Sequence, residues 1–299
     1  MRVEHETAAR AAAPPATLVR VPDAPARVTP RRGGPAFWLS AALAVVAATT
    51  AAWTFFADGV LGGPAVSAGS ARGTALVVLL VAVPTLIASV IATTRGSDRA
   101  VIAWLGAAGY LVYNAQLFLY GTPFNQLFLG YVALLSLAGW TIVAVALETD
   151  VRSAAWTAGV PARPVATFVA VVVGLNALLW LRGIVPAITG PDPASIMAGS
   201  GMTTNPVYIQ DLAFWFPLAL IGASTLWRRR PAGALVVGSV LTLWVIEAIS
   251  IATDQWFGHA ADPTSDLASS AMAAPFAVLA VVTLVPLLFV LRPRRQSSD

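Results

Sequence analysis

Apolar residues along this chain come in long unbroken runs, not in alternation with polar ones. Eight such runs stand at approximately 36–57, 74–94, 99–120, 126–147, 164–187, 208–227, 232–255 and 272–291, bounded by charged residues, proline or glycine. A bilayer core about 30 Å thick needs about 20 mainly apolar residues per helical span, which is the length of these runs. A transmembrane barrel would show short alternating segments, and runs such as "ALVVLLVAVPTLIASVIA" do not alternate. Helices also satisfy their own backbone hydrogen bonds in lipid. The pattern therefore predicts an all-α, polytopic transmembrane helical bundle of eight spans.

Composition agrees with this reading. The 299 residues are 58% hydrophobic and 11% charged, and the mean hydropathy is +0.76, outside the range of a soluble domain. The lipid bilayer is thus the first expected partner. All 18 basic residues are arginine. Six precede the first span (Arg2, Arg10, Arg20, Arg27, Arg31, Arg32), followed by Arg95 and Arg99, Arg152 and Arg163, Arg228 to Arg230, and Arg292, Arg294 and Arg295. The even-numbered crossings bring all of these to one side and leave Arg72 and Arg182 for the other. Since positive charge is retained in the cytoplasm, both termini are expected to be cytoplasmic. The net charge of +4 then reflects topology, and no nucleic-acid partner is expected.

Cysteine is absent, which excludes disulfides, thiolate nucleophiles and cysteine-bound metals. Residues 1–35, rich in Ala, Pro and Arg, read as a disordered cytoplasmic tail. They precede a transmembrane domain at 36–292 and a short cytoplasmic tail at 293–299. The first span is expected to stay as a signal anchor, because the leader before it is too long for a cleaved signal peptide. On the outer side, "GPDPASIMAGSGMTTNP" and "GHAADPTSDLASS" read as loops that can cover a cavity mouth.

Span three ends "NAQLFLYG" from Asn114 and span five ends "NALLWLRG" from Asn176. With Thr50 in span one and Glu247 in span seven, these residues recur at intervals of 64, 62 and 71. Such spacing suggests four tandem two-helix hairpins related by an axis along the membrane normal. Coincidence in an Ala/Leu-rich chain is the competing explanation.

The strongly polar residues within the spans concentrate in the outer half. At about 1.5 Å per residue, Asn176 lies near mid-membrane and Arg182 about 9 Å further out, while Glu247 is roughly two-thirds of the way across. Asp211 enters span six from the outer end, and Asp254 lies two turns beyond Glu247. Tyr110, Tyr113 and Asn114 form a stripe on span three, joined by Gln116. Ionisable groups in a bilayer face the bundle interior or water. The candidate binding residues are therefore Arg182, Glu247, Asp211, Asp254, Asn114, Asn176, Tyr113 and Gln116, with Arg182 expected to pair with Glu247 or Asp211. Against this, Arg182 could snorkel to the headgroups, and Asp211 and Asp254 could be solvated boundary residues.

Pro84, Pro217 and Pro286 fall inside spans and predict kinks. Trp38, Trp53, Trp104, Trp227 and Trp256 stand near span ends as an interfacial belt. No HExxH, GxSxG, Walker A or dinucleotide signature is present. His259, the one histidine outside the N-terminal tail, is too isolated to support a metal site with Asp254 and Asp262 or a heme. No cofactor or metal is expected, and no catalytic residue is assigned.

The segments "YLVYNAQLFLYGTPFNQLFLGYVALL" and "TTNPVYIQDLAFWFPLALIGASTLWRRRP", 55 of the 299 residues, resemble a group of uncharacterised multi-pass bacterial membrane proteins. The resemblance implies a bacterial plasma-membrane protein and carries no activity. Three functional readings follow from the residues. The first is a polar cavity open to the outside that binds or moves a small solute, with Glu247 as a point of proton coupling. The second is a membrane scaffold or accessory subunit, and the third an enzyme acting on outer-leaflet lipid through Glu247 or Asp254.

Overall fold

The computed structural model describes residues 29–153 and 156–292. The expectations for residues 1–28 and 293–299, His5 included, lie outside the described residues. Eight helices are long and apolar enough to cross a membrane: α1 (Pro35–Phe56), α2 (Ala65–Thr94), α3 (Ala100–Gly121), α4 (Phe128–Glu148), α5 (Ala162–Thr189), α6 (Pro206–Trp227), α7 (Pro231–Ala261) and α8 (Ser270–Leu291). The described residues contain no strand. This is an all-helical integral membrane protein.

Cross-links place the alternate connections at opposite ends of the bundle. At one end the Ala36 N–H donates to Glu148 Oε1 at 3.0 Å, and the Arg99 guanidinium donates to Trp156 O, Ala158 O and Val290 O at 2.7, 2.9 and 3.0 Å. Arg163 stacks on Trp227 there, 5.7 Å from the ring centroid. This end gathers the start of α1, the α2–α3, α4–α5 and α6–α7 links and the end of α8, and it carries most of the described arginines. At the other end Ser67 Oγ donates to Ser200 O at 2.9 Å, and the Ser269 N–H donates to Gln255 Oε1 at 3.0 Å. We call the two the basic end and the loop end.

Helices α3 and α7 are the most buried and α5 the least. Helix α7 packs against α2, α3, α6 and α8, while α4 bridges α1 and α3, and α5 leans on α6. Within lipid, association depends on close contact and interhelical hydrogen bonds, not on hydrophobic exclusion. Small residues supply the contact. A Cβ on Gly73 would lie 2.8 Å from Thr253 O and 3.0 Å from Asp254 Cα, and one on Gly106 would lie 2.6 Å from Ser239 O. Buried hydrogen bonds fix register: Trp104 Nε1 donates to Ser40 Oγ at 2.8 Å, Tyr110 Oη to Ser250 Oγ at 3.0 Å, and the Thr54 and Tyr131 hydroxyls meet at 2.9 Å.

Two helices are longer than the hydropathy pattern predicts. Helix α2 begins at Ala65, taking in "AVSAGSARG", and α7 continues to Ala261. The two extensions lie together at the loop end, where Gly69 faces Phe257 O and Gly258 faces Ala268 and Val66 O. Mutual packing of small residues thus holds polar sequence in helical form past the apolar run.

Proline acts differently from the expected simple kinks. In α2, Val78–Ala82 forms a π-helical turn just before Pro84, and in α6, Asp211–Trp215 forms one just before Pro217. Proline cannot donate to the carbonyl four residues back, and a π turn absorbs that mismatch. Pro286, with Pro275, lies inside α8, and Pro186 lies inside α5. Trp38, Trp53, Trp227 and Trp256 are exposed, but Trp104 is fully buried. It is a hydrogen-bonded core residue and not part of an interfacial belt.

Candidate functional site

A cavity of about 580 Å³ opens among α2, α3, α5, α6, α7 and α8 in the loop-end half of the bundle. Each wall is a helical stripe. Helix α5 contributes Val172, Asn176, Leu179 and Trp180, and α7 contributes Leu243, Trp244, Glu247, Ala248, Ile251, Asp254 and Gln255. These positions repeat at the three- and four-residue spacing of one helix face. Most of the wall is apolar, as in small-molecule sites generally.

The loop-end connections complete the mouth. Ser200, Met202 and Asn205 from the α5–α6 loop and Leu267 from the α7–α8 loop line the cavity. Ser200 sits between Gly199 and Gly201, whose φ values of +75° and +74° require glycine. Asn205 caps α6 by accepting from the N–H groups of Val207 and Tyr208 at 2.9 and 3.4 Å. Both loops therefore take part in the site.

Of the eight candidate residues, Tyr113, Asn176, Asp211, Glu247 and Asp254 line the cavity; Asn114, Gln116 and Arg182 do not. Asn114 is buried within the bundle, its Nδ2 without a partner. Arg182 corrects the sequence reading most sharply. It is exposed, and the ion pair found among the described residues joins Arg72 to Asp58 at 2.9 Å. Successive helical residues are about 100° apart, so Arg182 points away from the stripe that carries Asn176 and Trp180.

The partner of Asp211 is an indole. Trp180 Nε1 donates to Asp211 Oδ2 at 3.0 Å, and Tyr113 approaches the same carboxylate. Asp211 is the first residue of the π turn in α6 and is only 8% exposed, so it is no solvated boundary residue. The widened turn brings both Asp211 and Trp215 to the cavity wall. Behind them the buried Gln210 accepts from Trp215 Nε1 at 3.1 Å and donates to Tyr113 O at 3.4 Å, tying α6 to α3.

Glu247 differs from the other acids. It is half-buried in the middle of α7, faces the cavity, and has no hydrogen-bond or ion-pair partner among the described residues. Asp254 accepts from Gln255 Nε2 at 3.2 Å. Asp254 and Asp211 share the cavity wall with Glu247. Among the described residues, no group of three or more His, Asp and Glu side chains converges as a metal-binding set. His259 lies in the last turn of α7, not in a loop.

Aromatic side chains supply much of the remaining wall: Tyr113, Phe118, Trp180, Trp215, Trp244, Phe216 and Phe276. The Trp180 and Tyr208 rings meet at 5.0 Å and those of Tyr113 and Trp215 at 6.2 Å. The three cavity tryptophans stand inside their spans, away from the ends where tryptophan has an interfacial role, so span position alone does not point to them. The i, i+4 pairing of Asn176 with Trp180 was a signal available in the sequence. Comparison with protein-family models, with curated proteins and with solved structures gives no match to this chain.

Proposed function

We propose that this membrane protein binds a small solute in the loop-end cavity, as the binding step of uptake or export. The observation that carries the reading is Glu247. A carboxylate at membrane depth is costly unless it is neutralised by a proton, a counter-charge or water. Here it has no partner among the described residues and faces a space large enough for a ligand. A helix-packing role would instead join it to a neighbouring helix, as Trp180 joins Asp211. Glu247 is also the proposed point of proton coupling.

The arginine-rich basic end is the proposed cytoplasmic side, which puts both termini in the cytoplasm and the cavity mouth outside. The sequence resemblance supports a bacterial plasma membrane as the location. Because the chain has no cysteine, single cysteines report access cleanly. Asn176→Cys should react with a membrane-impermeant thiol reagent added outside intact cells, whereas Ser97→Cys at the basic end should react only after permeabilisation. A cavity cysteine that stays unreacted in both conditions would overturn the solute-binding reading and favour a scaffold.

A further inference from the structure

The charge and aromatic content of the cavity narrow the class of solute, on the reading that the cavity takes one. Among the described residues its ionisable carboxyl groups are Asp211, Glu247 and Asp254, and no described arginine or histidine lines it. Of the two described arginines of the loop-end half, Arg72 pairs with Asp58, and Arg182 lies on the exposed side of α5, away from the cavity wall. An anionic solute would meet three carboxylates and no base. A neutral solute would leave Glu247 to be neutralised by a proton or water alone.

A bare metal ion is poorly served as well. The hard cations need several oxygens converging at 2.0 to 2.6 Å, roughly speaking, and the described carboxylates do not converge in that way. What the walls offer is separated carboxyl groups within an apolar, aromatic enclosure. Trp180, Trp215, Trp244 and Tyr113 present rings beside Asp211 and Glu247. Aromatic faces attract a positive centre, and the effect strengthens where water is excluded.

We propose that the ligand is a small organic cation, a protonated amine or quaternary ammonium with an apolar body, whose positive centre sits beside Glu247 and is enclosed by the cavity tryptophans. Asp211 and Asp254 add two further carboxyl groups to the same wall. The acidic residues at the loop end, Asp58, Asp192, Asp262 and Asp266, outnumber its arginines and favour the approach of cations. From the surrounding helices, the titratable groups facing Glu247 are Asp211 on α6, Asp254 on α7 itself, and Tyr110 and Tyr113 on α3. Helices α2, α5 and α8 present only uncharged side chains to the cavity.

The test uses the full chain in lipid nanodiscs and four probes that share a phenyl body. Benzyltrimethylammonium and phenethylammonium carry positive charge, benzyl alcohol is neutral, and phenylacetate is negative. Calorimetric titration should show at least one cation binding about tenfold or more tighter than the neutral and anionic probes, a difference of about 1.4 kcal/mol. Glu247→Gln should remove that preference, and Trp244→Leu should weaken the cations by several-fold. Should Glu247→Gln fail to fold, Asp254→Asn with Trp244→Leu carries the same comparison. Tighter binding of phenylacetate or benzyl alcohol overturns the cation assignment and leaves solute binding standing. Absence of binding by every probe, with Asn176→Cys reactive from outside, also overturns the cation assignment. An unreactive Asn176→Cys removes the solute reading itself.

Discussion

Trp180 donates its indole N–H to Asp211 at 3.0 Å, so an aromatic residue on α5 holds the acid that a neighbouring arginine was expected to hold. Two residues further along the same helix, Arg182 is exposed on the opposite side. Trp180→Phe keeps most of the ring packing but removes the indole donor of a buried acceptor, at a cost of about 1–3 kcal/mol. Arg182→Gln removes no described partner and should change stability by less than about 0.5 kcal/mol. Thermal unfolding in detergent separates the two. A larger loss for Arg182→Gln than for Trp180→Phe would show that the arginine is the structural partner.

The α2–α7 crossing beside Asp254 depends on the absence of a side chain at Gly73. A Cβ there would stand 2.8 Å from Thr253 O and must push α2 away. Gly174, on the exposed side of α5, has nothing within 4 Å of the same position. Gly73→Ala should therefore lower stability by about 1–3 kcal/mol through overpacking, whereas Gly174→Ala should be neutral or stabilising, since alanine is the better helix former by about 1 kcal/mol. Paired melting curves check this. Equal effects would mean that the helices can separate at Gly73 without cost.

The spans were legible in the sequence because bilayer thickness imposes a minimum apolar length, and the lengths of α1 and α3 to α6 follow from it closely. The extensions of α2 and α7 were not legible. Their sequence is small and polar, and its helical state comes from packing against another segment. Asn176, Glu247 and Asp254, which the sequence places in the same halves of their spans, line one cavity. Direction was not weighed, and direction separates Trp180 from Arg182. The π turn at Asp211 was hidden for a further reason: Pro217 announces a disturbed hydrogen-bond ladder but not which of kink or π turn resolves it. Trp104 stood near a span end, where an interfacial role is the usual one, and only the position of Ser40 on α1 shows why it is buried.

Beyond the end of α7, Asp262 turns the chain toward the loop that brings Leu267 to the cavity. The Thr264 hydroxyl donates to its Oδ1 at 2.7 Å and the Thr264 N–H at 3.1 Å. These bonds favour the charged form, the hydroxyl first, and hold the carboxyl below the ordinary carboxylate range. A depressed value in the folded state means that the loop gains order above the unfolded value, about 3.9, and loses it as pH falls through the folded one. The Asp262 carboxyl, followed by carbon NMR in labelled protein, should titrate below about 3.9, and Thr264→Val should move it upward. A midpoint unchanged by Thr264→Val would show that the hydroxyl does not set it.

At the basic end, Arg99 connects three segments with one side chain. Its Nη1 donates to Trp156 O and Val290 O, and its Nη2 to Ala158 O. Val290 lies in the last turn of α8, where carbonyls have no partner within the helix. The planar guanidinium suits this divergent set, while a lysine ammonium is a compact group on a flexible stem that cannot reach all three. Arg99→Lys keeps the charge, and with it the topological signal at this end, but should cost about 2 kcal/mol or more as buried carbonyls lose donors. The loss should localise to the end of α8 and to the α4–α5 link, read as faster backbone hydrogen exchange near residues 156–160 and 288–292. If Arg99→Lys lowered global stability without raising exchange there, the arginine would act through its charge field and not through these hydrogen bonds.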